Sequence, residues 1–75
     1  MLKAIKTKTD LVAIGARVRD LRGAERQDDF APSLGIAQSQ LSRIERGLLA
    51  PSVEVLLRLR ERFGVSVDWI LVGEE

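Results

Sequence analysis

Apolar residues recur in this chain three and four positions apart in five short runs, and the first four runs are each halted by a glycine. That spacing is the period of an amphipathic helix, and no stretch longer than a few residues alternates with the period of two that a half-buried strand requires. The chain is therefore expected to be all-α. Leu11, Ile14, Val18 and Leu21 give a first helix from about Asp10 to Arg22, with Thr9 as its cap and Gly23 as its end. Phe30, Ala31 and Leu34 form a second short face that stops at Gly35, and Ala37, Leu41 and Ile44 a third that stops at Gly47. Ser52 caps a fourth helix, which turns Val53, Leu56, Leu57, Leu59 and Phe63 inward and closes at Gly64. Ser66 caps a fifth carrying Val67, Trp69, Ile70 and Leu71, with Asp68 near the positive end of its dipole. Five short helices in 75 residues leave room for one domain, drawn over residues 10–73, with a basic flexible tail over 1–9 and a frayed end at 74–75.

A chain of this length lies near the lower end of what one hydrophobic core can hold together without help. It contains neither cysteine nor histidine, which excludes disulfide staples, thiolate nucleophiles, imidazole bases and ordinary zinc sites. A reducing, cytoplasmic setting is expected, since no run approaches the roughly 20 apolar residues of a membrane span and the lysines near the start precede no leader-like apolar run. The net charge is only +1, but it is unevenly placed. Through Arg46 there are nine Lys or Arg against six Asp or Glu, and from Gly47 onward three against five. The first half is the half suited to face phosphate.

Within that half, the stretch from Ala37 to Arg46 divides cleanly when wound as a helix. Ala37, Leu41 and Ile44 gather on one side, while Ser39, Ser42, Arg43 and Arg46 gather opposite them with Gln38 at the edge. Gln40 lies nearer the apolar side. A face of Gln, Ser and Arg suits base edges in a DNA major groove, because Gln bonds adenine through two contacts, Arg does so to guanine, and Ser reaches either. The plain alternative is a solvated helix face, although such faces are more often rich in Lys and Glu.

The spacing of Phe30, Ala31, Leu34, Gly35, Ile36, Leu41 and Ile44 is that of a helix-turn-helix, with a small residue where two helices cross and a glycine able to take positive φ in the turn. The segment QDDFAPSLGIAQSQLSRIERG, followed by PSVEVLLRLRERFGVSVDWIL, resembles the DNA-binding domain of the Cro and phage-repressor (Cro/C1, XRE-type) family. The resemblance runs from about Ile14 to Leu71 and implies a five-helix, lambda-repressor-like domain. It implies that Gln27 holds the DNA backbone, that Gln38, Ser39, Gln40 and Arg43 read bases or flanking phosphates, and that Arg46 makes a backbone contact; Ser42 shares their face. It also implies an interior ion pair between Arg22 and Glu45. The sequence departs from the family pattern in a short first joint, RGAERQ, in Arg26 and Ala37 at cap positions, and in a GLLA segment without basic residues. Pro32 inside the second helix removes the amide that would bond the Asp28 carbonyl, so a bent or irregular helix is expected there.

The resemblance further implies a bacterial or phage transcriptional regulator that occupies a near-palindromic double-stranded DNA operator as a homodimer. Leu48 and Leu49, adjacent and just past a helix end, either leave one leucine exposed to join Trp69 and the last helix in a dimer contact, or both fold against the fourth helix. The rival function is an antitoxin or other protein-binding module on the same scaffold, with a toxin as partner. Asp28 with Asp29, or Glu74 with Glu75, offer paired carboxylates for acid–base work, but adjacent helical side chains diverge and a tail forms no pocket, so solvated acids are expected. Neither an enzyme nor a cofactor is expected. Lys3, Lys6 and Lys8 form either an arm toward DNA or a disordered terminus.

Overall fold

The computed structural model describes residues 8–73, with side chains from residue 10 onward. Its helices in chain order are α1 (Lys8–Arg22), α2 (Gln27–Ser33), α3 (Gln38–Glu45), α4 (Val53–Phe63) and α5 (Val67–Val72), and the described residues contain no strand. Residues 1–7 and 74–75, on which most of the expected tail, the frayed end, Lys3 and Lys6 fall, lie outside the described residues. α1 begins at Lys8, so Thr9 is inside the helix and is not its cap; helix boundaries commonly differ by one or two positions.

Local chemistry ends the other helices where the sequence indicates. Ser52 Oγ accepts from the Val55 amide at 3.2 Å and Ser66 Oγ from the Trp69 amide at 2.9 Å, each satisfying an amide that the helix start leaves open. Such a cap stabilises by about 1 kcal/mol. Pro32 lies in the last turn of α2, and the helix stops one residue later. There the Gly35 amide donates to the Pro32 carbonyl at 3.0 Å and the Ile36 amide to the Ala31 carbonyl at 3.1 Å, the Schellman arrangement, with Gly35 at φ +74°. The proline's missing amide therefore falls where the helix is about to end. α3 closes the same way, through Gly47 N to Ile44 O at 3.0 Å and Leu48 N to Arg43 O at 2.8 Å.

The core draws on all five helices: Ile14 and Val18, Phe30 and Ala31, Leu41 and Ile44, Val55, Leu56 and Leu59, and Ile70 are buried, with Leu34 in the turn. α1 packs on α3 and α5, α2 on α3, and α4 on α5. In α4 two expected core residues are outside: Val53 is 72% exposed and Leu57 45%, while Val55 is buried; Ala37, expected on the apolar side of α3, is exposed at its N-cap. The core face of α4 is centred on Leu59 with Val55 and Leu56, and at 100° per residue Leu57 lies roughly 160° round from it. An all-round apolar start to the helix hid which side was which.

α1 meets α3 at unusually close range. A Cβ on the buried Gly15 would overlap the Ile44 carbonyl oxygen and stand 2.8 Å from that of Glu45. Gly47 is held as tightly from the other side: a Cβ there would stand 2.7 Å from Val12 Cγ2, and its φ of +77° independently favours glycine. The last turn of α3 thus rests on the main chain of α1.

Candidate nucleic-acid interface

α3 is anchored by Leu41 and Ile44, at 0% and 2% exposure, and turns its other side to solvent. Gln38, Ser39, Gln40, Arg43 and Arg46 are exposed and Ser42 is half-buried. Ala37 contributes no side-chain cap, but Gln40 turns back so that its Oε1 accepts from the Ala37 amide at 3.0 Å. That is half of a capping box, and it engages the carbonyl end of Gln40 while its amide nitrogen stays available. Arg46 folds back on its own helix, Nε donating to the Ser42 carbonyl at 3.3 Å.

Beneath this surface a chain of hydrogen bonds joins α1, α2 and α3. Arg22 grips Glu45 through two contacts, Nε to Oε2 at 2.7 Å and Nη2 to Oε1 at 2.9 Å, with side-chain exposures of 15% and 4%. Gln27, the first residue of α2, donates from Nε2 to the same Glu45 Oε1 at 2.9 Å and accepts from Gln38 Nε2 at 2.7 Å. Gln38 is left with its Oε1 and one N–H outward, the pair of groups a bidentate contact to adenine uses. The sequence offered no sign of the Gln27 to Gln38 bond, which spans 11 positions and exists only because the starts of α2 and α3 meet; Arg26, Gln27, Asp28 and Gln38 line an open cleft there.

A second web fastens the short first joint. Arg62 of α4 donates to Glu25 Oε1 at 2.6 Å and to Ser33 Oγ at 2.9 Å, and its guanidinium lies 4.9 Å from the centre of the Phe30 ring and 5.1 Å from that of Phe63. Arg22 Nη1 adds a bond to the Glu25 carbonyl at 2.7 Å. These contacts hold the segment that delivers Gln27, in place of the side-chain cap that Arg26 does not make. Arg26 itself pairs with Asp28 at the surface.

Burial opposes ionisation of Glu45, but hydrogen bonds from Arg22 and Gln27, together with the charges of Arg22 and Arg19, outweigh it and hold the carboxyl below its ordinary value. The hydrogen bond to Glu45 likewise raises Arg22, against a smaller effect of burial. A carboxyl depressed by folding contributes stability that is complete above its unfolded pKa of about 4.3 and is lost as the pH falls through the lower folded value. Thermal unfolding followed by circular dichroism from pH 7 to 3 is expected to show Glu45→Gln less stable at neutral pH and less sensitive to acid than the parent. Parallel acid curves for the two would show that this carboxyl does not carry the dependence.

The leucines after α3 divide: Leu48 is 53% exposed, whereas Leu49 packs partly buried against the core, as does Trp69. Among the described residues no helix is long and apolar enough to cross a membrane.

Two short helices joined through a positive-φ glycine, the second with a buried apolar stripe and an open polar one, define a helix-turn-helix protein. Residues 19–70 match the helix-turn-helix family model, and the chain belongs to that family, a family of DNA-binding regulators. It is 31% identical over 49 residues to an uncharacterized HTH-type transcriptional regulator of Methanocaldococcus jannaschii, an overlap covering 65% of this chain and 74% of that protein. No solved structure matches the chain.

Proposed function

We propose that this protein is a transcriptional regulator that inserts α3 into the major groove of an operator and acts by occupying it. The observation that carries this reading is the two-sidedness of α3, with Leu41 and Ile44 buried while Gln38, Ser39, Arg43 and Arg46 are open to solvent. Gln38, Ser39 and Arg43 read base edges, with Gln40 and Ser42 at their margin. Arg46 and the remaining N–H of Gln27 hold the sugar-phosphate backbone, which fixes register without reading sequence. Glu45, which would otherwise repel phosphate, is neutralised by Arg22.

The reading extends to a twofold dimer in which the exposed Leu48 takes part, with Leu49 and Trp69 supporting it from the core. Two recognition helices would then lie about 34 Å apart on a near-palindromic site. Selection of bound sites from a random duplex pool tests all of this together. Enrichment of one motif with two related halves is the expected result; recovery of unenriched pool, or retention that does not weaken as salt rises, would overturn it.

Within the enriched site, Arg43→Ala is expected to relax preference at one base pair at a cost of about 1 to 3 kcal/mol, whereas Arg46→Ala weakens all duplexes alike. Competition binding across single-base variants of the site distinguishes the two. If Arg43→Ala lowers affinity equally for every variant, its contact is to the backbone.

A further inference from the structure

The side chains of three arginines, Arg19, Arg43 and Arg60, make no hydrogen bond or ion pair with any described residue. Arg43 belongs to the outward face of α3, and Arg60 lies on α4. Arg19 is on α1, and its position there is informative. Gly15, Arg19 and Arg22 are spaced four and three apart and so share one stripe of the helix. Both ends of that stripe touch the last turn of α3: Gly15 lies against the Ile44 and Glu45 carbonyls, and Arg22 grips the Glu45 carboxylate. Arg19, exposed between them, emerges at the seam beside the end of α3.

The acid at that seam already accepts three hydrogen bonds. Glu45 Oε2 accepts from Arg22, and Oε1 accepts from Arg22 and Gln27, so Arg19 contributes only its field there and no bond. Asp20 is adjacent in sequence but points about 100° away round α1. An unpartnered guanidinium therefore flanks a helix whose other basic side chains, Arg43 and Arg46, face solvent. We propose that Arg19 is a phosphate-binding residue that holds the DNA backbone alongside the C-terminal end of α3. This rests on the reading of α3 as the groove-binding helix and adds to it a contact from a different element. The planar fork of the guanidinium suits two phosphate oxygens at once, and the anchored α1 to α3 seam fixes where that fork is presented.

The test compares the parent protein with Arg19→Gln, Arg19→Lys and Arg60→Gln, binding both the selected duplex and an unrelated one by fluorescence anisotropy. Loss of one phosphate contact lowers the slope of log affinity against log salt by about 0.9, so the deficit of Arg19→Gln relative to the parent should shrink about threefold between roughly 50 and 200 mM salt. The deficit should be the same on both duplexes, and should persist well below the melting transition, where the small stability lost with the field of Arg19 at Glu45 leaves the protein folded. Arg19→Lys should keep the parental slope, and Arg60→Gln should also keep it, which separates a local contact from net charge. A parental slope in Arg19→Gln, an equal change in Arg60→Gln, or a loss confined to temperatures near the melting transition would overturn the assignment of Arg19 alone. Failure of the parent to bind either duplex would overturn it together with the reading of α3.

Discussion

Replacing Arg22 by alanine is expected to cost about 3 kcal/mol, because it leaves the Glu45 carboxylate, 4% exposed, with only Gln27 as a neutral partner. In a domain of this size that is a large share of total stability, and the melting temperature should fall by about 12 °C or more. The same change removes the bond from Arg22 to the Glu25 carbonyl, so the joint before α2 is loosened as well. The contrast with a double variant, Arg22→Met with Glu45→Leu, identifies the cause. A pair of apolar side chains in place of a buried ion pair is often neutral, so most of the loss should be recovered. If calorimetry finds the double variant as unstable as the single one, the cost does not come from a stranded charge.

Gly15→Ala is the second large effect, and its sign is itself the test. In an exposed helix this exchange stabilises by up to about 1 kcal/mol, since alanine is the better helix former. Here the added methyl would overlap the Ile44 carbonyl oxygen and stand 2.8 Å from that of Glu45, and main chain cannot swing aside as a flexible side chain can. Separating the helices would loosen the ion pair a few residues further along. Overpacking of this kind typically costs about 1 to 3 kcal/mol, which exceeds the propensity gain, so net destabilisation of about 2 kcal/mol is expected in urea unfolding. An alanine variant more stable than the parent would mean that the two helices do not approach so closely in solution.

Features governed by neighbours along the chain are legible in the amino-acid sequence. The caps at Ser52 and Ser66, the glycine that ends α2, and the Leu41 and Ile44 stripe each follow from residues within one or two helical turns. Gly15 also leaves a signal, since a glycine inside a helix is costly enough to suggest a close approach, although nothing local says what approaches. The inward side of α4 is misread at Val53 and Leu57 because its first five residues carry apolar side chains almost all the way round; only packing selects Val55, Leu56 and Leu59. Within the candidate site, periodicity assigns the outward residues of α3 to one face. It cannot reach the bonds of Gln27 to Gln38 and Glu45, or of Arg62 to Glu25 and Ser33, because each links residues brought together by the fold across 11 to 37 positions.

The close seam between α1 and α3 makes the scaffold tolerant of change on the side that meets solvent. Its nearest approach is glycine against carbonyl oxygens, atoms that every amino acid supplies, so positions 39, 42, 43 and 46 can be exchanged without altering how far the two rods stand apart. Variation of the outward face of α3 is thereby separated from the requirement to keep the helix seated.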